Sequence, residues 1–113
     1  MSRASALAAL ARLLKPGELR CEEAVRQKYT GDKWFAAHIP DAVALPRSAE
    51  TVSKILRFAS AKRIPVTPRG AGFGYVGGCV PSRGGIVLSV ERMNRIKEIH
   101  RTDFVAVVEP GVI

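Results

Sequence analysis

Five of the ten residues from Arg69 to Gly78, RGAGFGYVGG, are glycine, and this run constrains the chain more than any other stretch. Gly72, Gly74 and Gly77 spell G-x-G-x-x-G, the spacing with which a Rossmann domain turns from a strand into a helix whose N-terminus receives a pyrophosphate. That job needs a helix immediately after the glycines. The sequence from Gly78 to Gly85 is GCVPSRGG, with three glycines and a proline, the two poorest helix formers. Glu91 lies 19 residues after Gly72, near where a ribose-binding acid belongs, but the residues between cannot supply the helix. A Walker A loop is excluded as well, because no Gly-Lys-Ser/Thr follows.

The run is therefore a long loop between two strands. Glycine removes side chains and permits positive φ, so successive backbone N–H groups can face one concavity and form a nest for anionic oxygens. The same glycines can equally serve only tight turns and bulges. Arg69 stands at the loop's mouth, where it either adds charge for an anion or makes a surface salt bridge. Phe73 and Tyr75 are expected to fill core beneath the loop.

Flanking patterns place this loop in an α+β chain. The first twenty residues, MSRASALAALARLLKPGELR, contain no acid before Glu18 and read as an amphipathic helix ended by Pro16-Gly17, although a mitochondrial presequence has the same composition. A second short helix and a loop around Thr30-Gly31-Asp32 follow within residues 21–40. AVALP, starting at Ala42, is a short apolar strand. Ser48 is an N-cap with Glu50 in the first turn, and Val52, Ile55, Leu56 and Ala59 form the core stripe of a helix over residues 49–62, with Lys62 and Arg63 at its cationic end. A strand of two or three residues between Pro65 and Pro68, the glycine loop, an apolar strand over residues 84–90, and a hairpin from IKEIH and FVAVVE complete the order.

Composition limits function. The 113 residues suffice for one small domain at most, and no apolar run approaches the roughly 20 residues of a membrane span. The apolar end, FVAVVEPGVI, reads as the front part of a longer protein. Net charge is +8, but Lys and Arg are scattered without interleaved aromatics, so a solvated basic surface is expected, with no nucleic acid as partner. Cys21 and Cys79 lack metal-ligand spacing, and His38 and His100 are isolated, so no metal site is expected.

The series IPDAVALPRSAETVSKILRFASAKRIPVTPRGAGFGYVGGCVPSRGGIVLSVERMNRI, with VAVVEPGV after it, resembles the start of the FAD-binding domain of the vanillyl-alcohol oxidase/p-cresol methylhydroxylase superfamily. Its likeness is greatest to the branch of glycolate oxidase subunits and D-lactate dehydrogenases. The resemblance runs from Tyr29 to Ile113 and includes P-x-S-x-E-x-V, PRGAG, GGIVLS, RMNRI and EPGV in order. It implies an α+β fold, the first and incomplete α/β subdomain of a domain of this p-cresol methylhydroxylase type over residues 39–113, after a helical segment over residues 1–38.

The resemblance further implies an FAD-dependent oxidoreductase that oxidises a small 2-hydroxy acid of the glycolate or D-lactate type, with hydride passing to flavin N5. Gly70, Ala71, Gly72, Phe73 and Gly74 would cradle the FAD pyrophosphate, with Arg69 at the edge and Gly77-Gly78 closing the loop. Pro110 and Gly111 align with a segment near the flavin nucleotide. Members that attach flavin covalently through this loop carry His at the position of Phe73, so FAD is expected to bind non-covalently here. Relatives in this branch often read Thr-Gly-Leu or Thr-Ser-Leu where this chain reads FGY, so the threonine hydroxyl that could touch a phosphate is absent. No catalytic residue is expected in this segment, which alone would be inactive, and the electron acceptor or partner subunit is unspecified. A cytoplasmic location is expected, with peripheral membrane association or mitochondrial targeting open. The alternative class is a non-enzymatic basic module binding phosphate or nucleic acid.

Overall fold

The computed structural model describes residues 2–113. Helix α1 (Arg3–Leu13) is followed by strand β1 (Leu19–Arg20), a short helix α2 (Glu23–Arg26) that runs into a single 3-10 turn, and strand β2 (Ala42–Ala44). Helix α3 (Ala49–Lys62) leads to β3 (Val66–Arg69), and β4 (Ile86–Ser89), β5 (Ile96–His100) and β6 (Val105–Val108) complete the chain. None of these helices is long and apolar enough to cross a membrane.

The sheet has the order β1-β2-β4-β3, with β1 antiparallel to β2 and the other pairs parallel. Strands β2 and β4 are buried at every position, as expected for parallel strands covered on both faces. One face packs against α3 and α1. Ala6, Leu7 and Leu10 of α1 join Ile55 and Ala59 of α3 and Ile86 and Leu88 of β4 in one core, so the first helix is part of the fold.

Helix α3 begins where its cap demands. Ser48 Oγ accepts the Thr51 N–H at 3.2 Å, and Arg63 closes the helix in the left-handed region at φ 54°. The expected stripe needs one correction, because Leu56 is 46% exposed. Ile55 and Ala59 lie one turn apart on the buried line, with Val52 and Phe58 packed beside them, and Leu56 falls on the flank of that line.

Strand β1 was not expected, and β3 extends beyond its expected limits to include Pro68. β3 lies at the sheet edge, where a residue without an N–H is tolerated. β4 starts at Ile86 rather than Gly84. Gly85 has φ 76°, donates to Asp41 Oδ2 at 2.7 Å, and approaches Pro65 so closely that a Cβ would run into the Pro65 carbonyl oxygen. The connection from β3 to its parallel neighbour β4 contains no helix.

Strands β5 and β6 form a separate antiparallel hairpin exposed along its length. Phe104, expected in the second strand, sits in the turn at φ 55°. The base of the hairpin is closed by Arg95 and Glu109. The Arg95 N–H and Nε both donate to Glu109 Oε1 at 2.9 Å, and the Glu109 N–H returns a bond to the Arg95 carbonyl.

Candidate functional site

The glycine loop leaves the sheet at Arg69 and returns at Gly85. Among the described residues, none of the seven consecutive backbone N–H groups from Gly70 to Val76 donates a hydrogen bond. All of these residues but Gly72 are exposed, so the amides are open to water or to a ligand. Gly70 through Gly74 line one depression of about 370 Å³, together with Gly78 and Asp32. A run of amides beside such a hollow is suited to anionic oxygens.

The loop is held from behind by residues upstream of β2. The Lys33 N–H donates to the Gly74 carbonyl at 2.9 Å. Asp32 accepts the Trp34 N–H on Oδ1 and the Gly77 N–H on Oδ2, both at 2.9 Å. Gly77 has φ 77°, and a Cβ there would fall 2.7 Å from the Trp34 ring, so both conformation and space require glycine.

The sequence-predicted site residues divide into three groups. Gly70, Ala71, Gly72, Phe73, Gly74 and Gly78 share the depression. Pro110 and Gly111 meet Gly70 and Ala71 around a smaller hollow of about 40 Å³ that Glu91 also lines. Arg69 and Gly77 line neither. The Gly77 amide is taken by Asp32. The Arg69 guanidinium donates to the Gly31 carbonyl at 2.6 Å, lies 5.1 Å over the Tyr29 ring, and occupies the space a Cβ on Gly72 would need. It braces the rear of the loop, and among the described residues it makes neither a salt bridge nor a free cationic mouth.

Phe73 and Tyr75 correct an expectation. They are 61% and 75% exposed, so neither fills core. Phe73 instead carries the Lys33 ammonium 5.2 Å over its ring, which places a cation beside the depression.

A polar cluster backs the site. The Tyr29 hydroxyl donates to Glu91 Oε1 at 2.6 Å, and Ser89 Oγ donates to the same oxygen at 2.8 Å. Burial, reinforced by the bond to the Glu91 carboxylate, pushes the Tyr29 phenol up to about 12. Sequence reasoning missed Tyr29, Asp32 and Trp34. Only the local turn had a signal, since an Asp that accepts the N–H two residues on is a common turn former. No group of three His, Cys, Asp or Glu suited to a metal occurs among the described residues. His100 lies on the exposed hairpin with Nε2 2.6 Å from Glu98. The arrangement can bind and orient an anion.

Known proteins resemble this chain in sequence and fold. A family profile described as FAD binding domain matches residues 40–113. The glycolate oxidase subunit GlcD of Bacillus subtilis is 45% identical over 75 residues, covering 66% of this chain and 16% of that protein. The mitochondrial D-lactate dehydrogenase [cytochrome] of Arabidopsis thaliana is 38% identical over 77 residues, covering 68% of this chain and 14% of that protein. The crystal structure of p-cresol methylhydroxylase with substrate bound superposes with a TM-score of 0.82 at 27% identity, over 96% of this chain and 22% of that one. The chain thus spans less than a quarter of the length of each of these proteins.

Proposed function

The chain belongs to the FAD binding domain family, and from that premise we propose that its glycine loop binds the pyrophosphate of FAD in an enzyme oxidising a small 2-hydroxy acid. The observation that carries the proposal is the open row of amides from Gly70 to Val76 beside a hollow lined by Gly70 through Gly74. A diphosphate needs several donors converging on a concave surface, and backbone N–H groups supply them without side chains that would block its approach. Lys33 adds positive charge at the rim, while the Asp32 carboxylate opposes the anion, with each of its oxygens already accepting an amide. The residues present fit the group.

Gly70 to Gly74 would hold the phosphates, Gly78 would border them, and Pro110 with Gly111 would close the far side of the Gly70-Ala71 peptide. Arg69 and Gly77 act at one remove, by fixing the loop. Phe73 offers no nucleophile, which supports a non-covalent attachment. When bound, FAD supplies the two-electron acceptor for converting an alcohol carbon to a carbonyl, and the protein supplies position and electrostatics. The kinship with a glycolate oxidase subunit and a D-lactate dehydrogenase favours a 2-hydroxy acid as the electron donor.

An absorbance spectrum of the purified full-length protein that carries this chain tests this directly. Bound flavin is expected, released into solution on denaturation, and bleached when glycolate or D-lactate is added without another acceptor. A folded, colourless protein that takes up no added FAD would overturn the proposal.

A further inference from the structure

We propose that Asp32 is a positioning residue for the glycine loop, holding it in the one shape that presents its amides to a diphosphate. The inference rests on the reading of the loop as the FAD site. Asp32 lies outside residues 40–113, which the family profile matches, yet the segment around it supplies the loop's main tethers. The Lys33 N–H holds the Gly74 carbonyl, Asp32 Oδ2 holds the Gly77 N–H, and the Trp34 ring fills the space behind Gly77.

A stretch with this much glycine is the costliest kind of chain to order. Its own residues give little help, because the amides from Gly70 to Val76 make no internal bonds. The carboxylate is suited to the task, since its two oxygens accept two N–H groups at once and a bond to a charged acceptor is roughly twice as strong as a neutral one.

Asp32 also lines the depression that would hold the diphosphate, so its charge repels the very ligand its geometry prepares for. These two effects have opposite signs, and that makes the role decidable. Asp32→Asn keeps the shape, removes the charge and replaces one acceptor with an amino group. If charge alone mattered, the variant would bind FAD and ADP more tightly than the parent. If positioning dominates, both ligands weaken by roughly tenfold, the loss expected when a charge-assisted bond is removed.

The experiment titrates FAD and ADP into the ligand-free forms of the purified full-length protein and of its Asp32→Asn variant, and follows amide hydrogen exchange in both. The expected result is weaker binding of both ligands, with faster exchange confined to the loop around Gly77 and unchanged exchange in β2 and β4. Binding as tight as the parent's or tighter overturns the role of Asp32. So does faster exchange spread through the sheet, which would mark a general loss of stability. A parent protein that takes up neither ligand overturns instead the assignment of the loop to FAD, and the exchange comparison still decides whether Asp32 fixes the loop.

Discussion

Tyr29 and Glu91 join the segment before β2 to the residues after β4 through a hydrogen bond of 2.6 Å. The Arg69 guanidinium rests on the Tyr29 ring at 5.1 Å, and Ser89 shares the Glu91 oxygen, so three regions of the chain meet behind the glycine loop. Tyr29→Phe keeps the ring beneath Arg69 and removes only the hydroxyl. The expected cost is about 1 kcal/mol, below the usual value for a bond to a carboxylate because the pair is partly in solvent. Urea denaturation should give a lower midpoint with an unchanged slope.

The same phenol sets an alkaline limit. Its folded value of about 12 lies above the ordinary 10.0, so the folded state favours the neutral form. Its contribution is complete below pH 10, where both states hold the proton, and is lost between pH 10 and about 12, where only the unfolded state ionises. Denaturation midpoints measured across that window should fall more steeply for the parent than for Tyr29→Phe. Parallel curves would refute the assignment.

Glu109 acts at the acid end. Hydrogen bonds from the Arg95 side chain and then from its backbone hold the Glu109 carboxyl below its ordinary 4.5. The stabilisation is present above pH 4.5 and disappears as pH falls through the folded value. Glu109→Gln should flatten that acid limb and loosen the base of the β5–β6 hairpin, seen as faster amide exchange at Arg95.

Two neighbouring glycines should respond unequally. Gly77→Ala forces a side chain into the left-handed region and against the Trp34 ring, with an expected loss of about 2 kcal/mol or more and weaker flavin binding. A Cβ on Gly78 meets nothing within 4 Å, so Gly78→Ala should lie within about 0.5 kcal/mol of the parent. Thermal melts and FAD titrations of the pair read both effects, and equal losses would contradict the geometry.

The course of the chain was legible wherever the signal was local. Ser48 and the spacing of Val52, Ile55 and Ala59 placed α3 at its observed limits, and the glycines and proline after Gly77 ruled out a helix before β4. Burial was less legible, because it depends on what lies opposite. Leu56 satisfies the helical period yet sits on the flank of the packed face, and Phe73 and Tyr75 are aromatic yet stay mostly exposed. The tethers of the loop were invisible for a related reason. Asp32 meets Gly77 and Tyr29 meets Glu91 only after the sheet has brought distant segments together, and no periodicity encodes such a meeting.

Those separations, 45 residues for Asp32 to Gly77 and 62 for Tyr29 to Glu91, bear on the order of events in folding. Contacts between distant residues close late, after the entropy of the intervening chain has been overcome. The helices and the β3–β4 pairing can therefore exist before the loop has its final shape. A bound flavin would therefore act as a latch, holding together segments that the chain itself joins only across long separations.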